Sequence, residues 1–276
     1  MHRLKSLKKF IYGSLPYYVT KWINPQSKFL KYFEYIKNYG YMRHLYLFRH
    51  DYADFNVKLQ YDVNDGLPYV ELPDNKRKLY FRNDMEPEKI KRLFKELIIE
   101  QDLRSPHRYF DDVKELSGKR LLDVGSAEGL ITLLAIEELK HAYIFECDEK
   151  WIEALNKTFA PYNDKVTIIR KYVGDKDNDE CITLDTFVDC ILDEDLFLKM
   201  DIEGMERVAL SGAQRLFSES KSLNFAICTY HNNDDFNVIS EFLKKHKCHY
   251  TSQHGYWRHR YISVMLRGNT TKTNSK

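Results

Sequence analysis

The stretch from Leu121 to Cys147, LLDVGSAEGLITLLAIEELKHAYIFEC, restricts the fold more than any other part of the chain. Leu121, Leu122 and Val124 form an apolar run of strand length, with Asp123 near its end. Gly125 and Gly129 then let the backbone turn and approach a ligand without an obstructing Cβ. The apolar residues Leu130, Ile131, Leu133, Leu134, Ile136 and Leu139 fit a helix whose first N–H groups face that turn. A second strand ends at Glu146. It follows Gly125 by about one strand–helix–strand unit, the spacing at which a carboxylate accepts hydrogen bonds from ribose hydroxyls. The segment therefore predicts a parallel α/β sheet with a ribose-binding crevice at its strand ends.

Glycine spacing selects among nucleotide-like ligands. Dinucleotide sites use Gly-x-Gly-x-x-Gly, because the second glycine admits a pyrophosphate. Here Ala127 occupies that place, which disfavours an NAD-dependent oxidoreductase. The pattern Asp-x-Gly-x-x-x-Gly is that of S-adenosylmethionine sites. That cofactor carries an ammonium group in place of phosphates, so an acid such as Glu128 assists rather than repels. Asp123, Gly125, Ser126, Glu128, Gly129 and Glu146 are the candidate cofactor contacts in this unit.

Composition narrows the remaining classes. At 276 residues and 43% hydrophobic content the chain can bury one full α/β domain with an appendage. A formal net charge of +2, with both signs interspersed, gives no continuous basic field for nucleic acid. The five cysteines, Cys147, Cys181, Cys190, Cys228 and Cys248, are odd in number and lack any Cys-x-x-Cys pair. Neither a disulfide framework nor a zinc site is expected, and a reducing cytoplasm is. The basic N-terminus (Arg3, Lys5, Lys8, Lys9) is followed by FIYGSLPYYVTKWI, which Gly13, Pro16 and Lys21 interrupt. Neither a signal peptide nor a transmembrane span is expected, while a weak membrane-surface association through this aromatic and basic segment is the lesser reading beside ordinary packing.

Along the chain, Phe29, Tyr32, Phe33 and Ile36 predict a helix from about Gln26 to Tyr39, capped by Gly40. Residues 57 to 81 read as β-hairpin material turning at Asn64, Asp65 and Gly66, with Pro68 and Pro73 restricting it to edges. Pro87 opens a helix carrying Ile90, Leu93, Phe94, Leu97 and Ile98 on one face. From Lys119 to Leu266 strands and helices alternate: a helix from Glu149 to Phe159, then strands VTIIRKYV, LFLKM and FAICT, with a helix in DIEGMERVALSGAQRLF. The strand ends bring together Asp123, Glu146, Asp175, Asp201, Glu203, Tyr230 and His231. The organisation expected is an accessory region over 1–104, a core domain over 105–268 and a disordered tail over 269–276.

With DVGSAEG, the strand end IFECD, the phrase ITLDTFV and above all LKMDIEGMERVALSGAQRLF, the chain resembles FkbM-type methyltransferases, whose counterparts are DVGANxG, FEP, TLD and KxDVEGxExxVLxGA. The ordered set extends over roughly residues 119 to 250 and is far more specific than any one motif. The resemblance implies a doubly wound, Rossmann-like seven-stranded sheet of the class I S-adenosylmethionine-dependent methyltransferases, here with an N-terminal helical and β-hairpin extension. Its last, antiparallel strand falls at Tyr261 to Leu266. By position, Asp123, Gly125 and Gly129 match the cofactor motif, Glu146 the ribose-holding acid, and Asp201, Glu203 and Gly204 the DVEG segment. Asp175 stands where an acid after the third strand contacts adenine. Cys147 and Asp148 replace the usual Pro-Asn, and the first hundred residues have no counterpart.

Methyl transfer to a hydroxyl requires alignment, exclusion of water and a base within hydrogen-bond reach of the hydroxyl. His231, Asp201 and Glu203 are the candidate catalytic residues, with histidine best matched to neutral pH. His107, Arg108 and Tyr109 in the turn SPHRYFDD, together with Tyr230, are the candidate acceptor contacts, and Tyr256 and Trp257 are further candidates for the acceptor wall. Asp201 and Glu203 allow a divalent cation, but capping and orienting roles are preferred and no metal is expected. The acceptor implied is a hydroxyl on a saccharide, glycolipid or secondary metabolite. A non-catalytic S-adenosylmethionine-binding module with a partner-recruiting N-terminal region is the alternative. Nothing in the sequence selects an oligomeric state.

Overall fold

The computed structural model describes residues 2–73, 75–258 and 260–270. The chain forms two compact units, one holding residues up to Phe55 together with His254–Ile262, the other holding the rest.

In the first unit α1 (His2–Lys9), a π-helical turn (Phe10–Ser14) and α2 (Leu15–Ile23) run on as one rod. The helix α3 (Leu30–Tyr39) ends at Gly40, whose φ of 96° suits glycine and whose N–H donates to the Ile36 carbonyl. It starts later than Gln26 because turns follow Pro25, with the Ser27 N–H donating to the Asn24 carbonyl at 3.0 Å. The rod meets α3 at Gly13, where an added Cβ would stand 2.6 Å from the Lys37 nitrogen and 2.8 Å from Ile36. Tyr35, Ile36, Leu45 and Tyr256 form this unit's core. The short strand β1 (His44–Leu45) pairs antiparallel with Tyr256 and Trp257. Tyr256 stacks on Tyr32 at 4.9 Å and Trp257 meets His44 at 4.2 Å. Both side chains are buried, Tyr256 in this core and Trp257 against His44.

The second unit opens with a three-stranded antiparallel sheet of β2 (Leu59–Tyr61), β3 (Pro68–Glu71) and β4 (Lys78–Tyr80). Its first turn passes through Gly66, at φ 75°, and Asp62 and Asp65 accept from the Asn64 and Leu67 N–H groups at 3.0 and 3.1 Å. Pro68 was expected at an edge but begins the central strand, where the first position has no ladder N–H to lose. The helix α4 (Pro87–Glu100) follows, burying Ile90, Phe94 and Ile99. This region, expected as an accessory segment, lies in the same compact unit as the large sheet.

The chain then alternates through β5 (Arg120–Val124), α5 (Leu130–Ala135), β6 (His141–Phe145), α6 (Glu149–Phe159) and β7 (Val166–Ile169). The expected strand VTIIRKYV breaks at Arg170, because β8 (Tyr172–Val173) leaves to pair with β9 (Cys181–Ile182). After α7 (Leu184–Phe187) and β10 (Asp195–Met200), the expected single helix is two, α8 (Glu206–Ser211) and α9 (Gln214–Glu219). The break falls at Gly212, whose carbonyl accepts from the Asp185 N–H at 2.9 Å and whose Cβ position lies 2.2 Å from the Gly174 carbonyl. The remaining elements are β11 (Ser222–Cys228), α10 (Asp235–Lys245), β12 (Cys248–Trp257) and β13 (Arg260–Thr270). The last strand extends into the segment expected as a tail, whose residues 271–276 lie outside those described.

In the large sheet the order is β12-β13-β11-β10-β5-β6-β7, with β13 antiparallel to β11 and the pairs from β11 to β7 parallel. This is the doubly wound, Rossmann-like arrangement with the antiparallel strand that the sequence predicts. Val124 lies opposite both Met200 and Phe145, so β5, β6 and β10 end level and their exit loops meet. Leu122, Val124, Leu198, Met200, Ile227 and Leu210 pack beneath that rim, all buried.

The close approach at Gly13 leads to a test. Gly13→Val forces the rod off α3 and is expected to lower stability by about 1–3 kcal/mol. Chemical denaturation of the variant and the wild type measures it.

Candidate active site

The loop after β5 turns through three left-handed residues, Gly125 (φ 78°), Ala127 (φ 49°) and Gly129 (φ 85°). A Cβ on Gly125 would stand 2.0 Å from the Asp201 carbonyl oxygen, so only glycine lets the exit loop of β10 pass. A Cβ on Gly129 would press on Phe159 and Leu155 at 2.8 and 2.9 Å, so this glycine seats the loop on α6. Glu146 ties the turn from the other side. Its Oε2 accepts from the Ala127 N–H and its Oε1 from the Asp148 N–H, both at 2.8 Å.

Behind the loop lies a buried polar core. Asp123 accepts from Ser126 Oγ at 2.8 Å and Thr132 Oγ1 at 2.7 Å, and its other oxygen faces Lys199 Nζ at 3.2 Å. Lys199 also donates to the carbonyls of Val124 and Gly125. Burial works to lower its pKa, but the charges of Asp123 and Asp201 outweigh this and raise it, so it stays an ammonium. Glu128 is fully enclosed as well. Burial pushes its carboxyl up to about 7, against the pull of its own and the Leu130 N–H groups and of Lys199.

In front of the loop opens a cavity of about 610 Å³, edged by Gly125, Glu146, Asp175 and Asp201 and floored by apolar side chains such as Phe145, Ile202 and Val208. Its size lies within the roughly 300–1,000 Å³ common for small-molecule sites. Gly125, Glu146, Asp175 and Asp201 line this cavity, whereas Asp123, Ser126, Glu128 and Gly129 support the loop from behind. The choice among the carboxylates of GDKDNDE has a structural reason. Asp177 is occupied by the Thr183 N–H at 2.8 Å and Thr186 Oγ1 at 2.9 Å at the start of α7, which leaves Asp175 on the cavity wall.

Beside the cavity, Asp201 collects hydroxyls. Tyr109 Oη donates to it at 2.7 Å and Tyr230 Oη lies at 3.3 Å. Burial first, then the Asp201 charge, raises both phenols well above their ordinary value, so both remain donors. His231 stands between carboxylates, with Nδ1 3.0 Å from Glu206 Oε1 and Nε2 3.4 Å from Asp201 Oδ1. Its burial works to lower the pKa, but the contact with Glu206 and the charges of Asp201, Glu206 and Glu203 prevail and raise it. Glu203 is 94% exposed at the rim, on a left-handed backbone (φ 55°), with a carboxylate oxygen 3.7 Å from His231 Nε2. The loops holding these groups are clipped together by Asn232, whose Nδ2 donates to the Gly204 carbonyl at 3.1 Å, and by Arg207 against Asp235 at 2.5 Å.

Of the candidate acceptor contacts, His107 packs edge-on against Tyr230 at 5.4 Å. Tyr109 is buried and shapes the site through Asp201. Arg108 turns away from an acceptor role. Its guanidinium donates to the carbonyls of Phe110, Gln101 and Asp111, locking its own turn. Two residues not singled out from the sequence are central here, Lys199 and Glu206. Each sits inside LKMDIEGMERV, and a charged residue at strand or helix positions that must be buried was the available signal. Asp201, Glu206 and His231 have donor atoms within 4.8 Å of one another, a set able to hold a divalent cation; exposed Glu203 is not part of it. Two carboxylates this close raise the proton affinity of the imidazole between them.

A doubly wound sheet with this loop, this strand-end carboxylate and this cavity is a Rossmann-like arrangement. Residues 123–256 match the model of the methyltransferase FkbM domain. Among solved structures the chain is similar to methyltransferase FkbM from Methylobacillus flagellatus KT, at 21% identity over 55% of this chain and 43% of that one, with a TM-score of 0.46. It is also similar to magnesium protoporphyrin IX methyltransferase from Synechocystis PCC 6803 with bound SAM, at 13% identity over 67% and 79% of the two chains, TM-score 0.39. A third is precorrin-6y C5,15-methyltransferase from Geobacter metallireducens GS-15, at 12% identity over 58% and 85%, TM-score 0.40. The chain spans less than half the length of the first of these. The sequence has no match among the curated proteins.

The enclosed Glu128 makes stability depend on pH. A folded pKa of about 7, above the ordinary 4.5, contributes stability below about pH 4.5 that is lost as pH rises through about 7. Glu128→Gln removes this loss. Its unfolding free energy relative to wild type is expected to rise by about 1–3 kcal/mol between roughly pH 5 and pH 8. Denaturant titrations across that range measure it, and a difference that does not vary with pH contradicts the assignment.

Proposed function

We propose that the chain binds S-adenosylmethionine in the 610 Å³ cavity and transfers its methyl group to a hydroxyl of a saccharide, glycolipid or secondary metabolite. The observation that carries this reading is the approach of His231, backed by Glu206, to the cavity-lining Asp201. Fit of the cofactor rests on three features. Gly125 leaves open a surface that any side chain would disrupt. Glu146, at the ribose-binding position, lies on the cavity edge. Five acids, Glu146, Asp148, Asp175, Asp201 and Glu203, line the cavity against two lysines, Lys171 and Lys176, which favours a cationic ligand over a pyrophosphate.

Bound there, the cofactor supplies an electrophilic methyl carbon on a sulfonium. The residues of the chain then have two tasks, alignment and proton removal. Glu146 and Asp175 are the contacts for the ribose and adenine ends. Asp201, held by Tyr109 and Tyr230, fixes the side of the cavity next to His231. Neutral His231 would accept the proton of the acceptor hydroxyl as the hydroxyl oxygen takes the methyl group and the C–S bond breaks, leaving the cofactor's sulfur as a neutral thioether. Glu206 stabilises the imidazolium that results.

Two experiments test this. Calorimetric titration with S-adenosylmethionine is expected to show binding that Gly125→Arg abolishes and that Glu146→Ala weakens by about tenfold or more, the loss of one to two charge-assisted hydrogen bonds. Absence of binding by the wild-type chain sinks the cofactor assignment. For the base, transfer of labelled methyl groups to fractionated carbohydrates, lipids and metabolites identifies an acceptor. With it, the rate is expected to rise with pH along a limb above 6.5, since His231 must lose a proton whose pKa is raised. Glu206→Gln leaves burial in place but removes the raising charge, so the limb moves to lower pH. A limb that stays put, or full turnover in His231→Ala, excludes His231 as the base.

A further inference from the structure

The first unit exposes an apolar stripe that its own fold leaves uncovered. Leu7, Ile11, Leu15, Tyr18 and Trp22 follow one another at helical spacing along the rod of α1, the π-helical turn and α2. Each is exposed, Trp22 to 86% of its surface. Phe10 and Ile23 widen the stripe on its flanks. The opposite side of the rod packs inward, with Gly13 against the α3 backbone and Tyr17 buried. The orientation is therefore fixed by packing, and the apolar face is displayed outward.

Charge says what covers it. The first acid in the sequence is Glu34, and the 33 residues before it carry seven lysines and arginines in a chain of net charge +2. Lys5, Lys8 and Lys21 are exposed on the same rod as the stripe. A second copy of the chain is disfavoured as occupant, because a two-fold contact sets the same cationic face against itself. Protein interfaces are also poor in lysine. A rod with an apolar face of aliphatic and aromatic side chains, lysines beside it and no acids matches an anionic lipid surface on every count. Among the described residues no helix is long and apolar enough to cross a membrane, so the rod would lie in the interface.

We propose that α1 and α2 dock this chain on a bilayer carrying anionic headgroups, with Trp22 and its apolar neighbours inserted among the acyl chains and Lys5, Lys8 and Lys21 against the headgroup phosphates. The site is independent of the methyl-transfer reading, since every residue in it lies in the first unit.

Co-sedimentation of the full chain with vesicles of phosphatidylcholine, with and without phosphatidylglycerol, tests the proposal. The expected result is binding to the anionic vesicles that weakens in high salt. The combined change Lys5→Glu, Lys8→Glu and Lys21→Glu is expected to weaken it by about tenfold or more. Phe10→Ser, Trp22→Ser and Ile23→Ser together should reduce it as strongly. Unchanged thermal unfolding and S-adenosylmethionine titration show that the variants remain folded, and they separate failure here from failure of the cofactor site. No binding to anionic vesicles by the wild type overturns the proposal, as does binding that neither variant weakens. Equal binding to neutral vesicles overturns the headgroup assignment. A dimer in sedimentation velocity that the serine variant dissolves, without vesicle binding, assigns the face to a second copy.

Discussion

The site depends on one buried ion pair, Lys199 with Asp123, at 3.2 Å with neither side chain more than 5% exposed. Lys199 is the penultimate residue of β10 and Asp123 that of β5, and the two strands are direct neighbours in the sheet. An ammonium in this position cannot be hydrated, so its hydrogens go to Asp123 and to the carbonyls at the start of the glycine turn. The turn is thereby held down on its inner side while Glu146 holds its outer side through the Ala127 N–H. Removal of one partner leaves an uncompensated buried charge, a loss of about 3–5 kcal/mol in such pairs. The loop's strained left-handed residues persist because both edges are fastened.

From this anchor the rest of the constellation follows in order. Leu198 and Met200 point into the core, which leaves Lys199 facing the other side, under the Tyr109 ring at 5.5 Å. Tyr109 reaches across to Asp201, one residue past the end of β10, and Asp201 in turn faces His231 at the end of β11. Glu206 closes the set from the first residue of α8, where its Oε1 also accepts from the Ile202 N–H at 2.8 Å. The ends of β5, β10 and β11, the start of α8 and the turn holding Tyr109 thus contribute one chain of contacts from the glycine loop to the imidazole. Its groups are constrained from both ends, and preorganisation of this kind is what alignment of a transferring methyl requires.

Much of this was legible in the sequence, for identifiable reasons. The parallel strands announce themselves as short apolar runs, and the glycine turn and Glu146 stand at spacings that sheet geometry imposes. The reading of LFLKM and FAICT as neighbouring parallel strands placed Asp201 and His231 together without coordinates. What sequence could not supply is which face each polar residue takes. Asp123, Ser126 and Glu128 look like ligand contacts in one dimension, yet Asp123 and Ser126 bond to each other at 2.8 Å behind the loop. Arg108 reads as a substrate-binding cation until its three backbone acceptors are seen. Tyr256 and Trp257 pair with Leu45 and His44 of β1, a contact across more than two hundred residues that no local pattern announces.

Electrostatics gives the site a direction as well as a shape. Its cavity is acid-rich, lined by Glu146, Asp148, Asp175, Asp201 and Glu203. Such an assembly of like charge is held at a cost in the free protein, and a cationic ligand relieves it. A sulfonium cofactor brings two positive charges, on sulfur and on the amino group; after methyl transfer the sulfur is a neutral thioether. The attraction is therefore strongest for the methylated form and falls by one charge when the methyl leaves. The carboxylates of Glu206, Asp201 and Glu203 also raise the proton affinity of His231, so in the proposed reaction they would stabilise the imidazolium formed when the acceptor hydroxyl gives up its proton. On the proposed reading, cofactor selection and base strength would be two consequences of one arrangement of acids around the ends of β5, β6, β10 and β11.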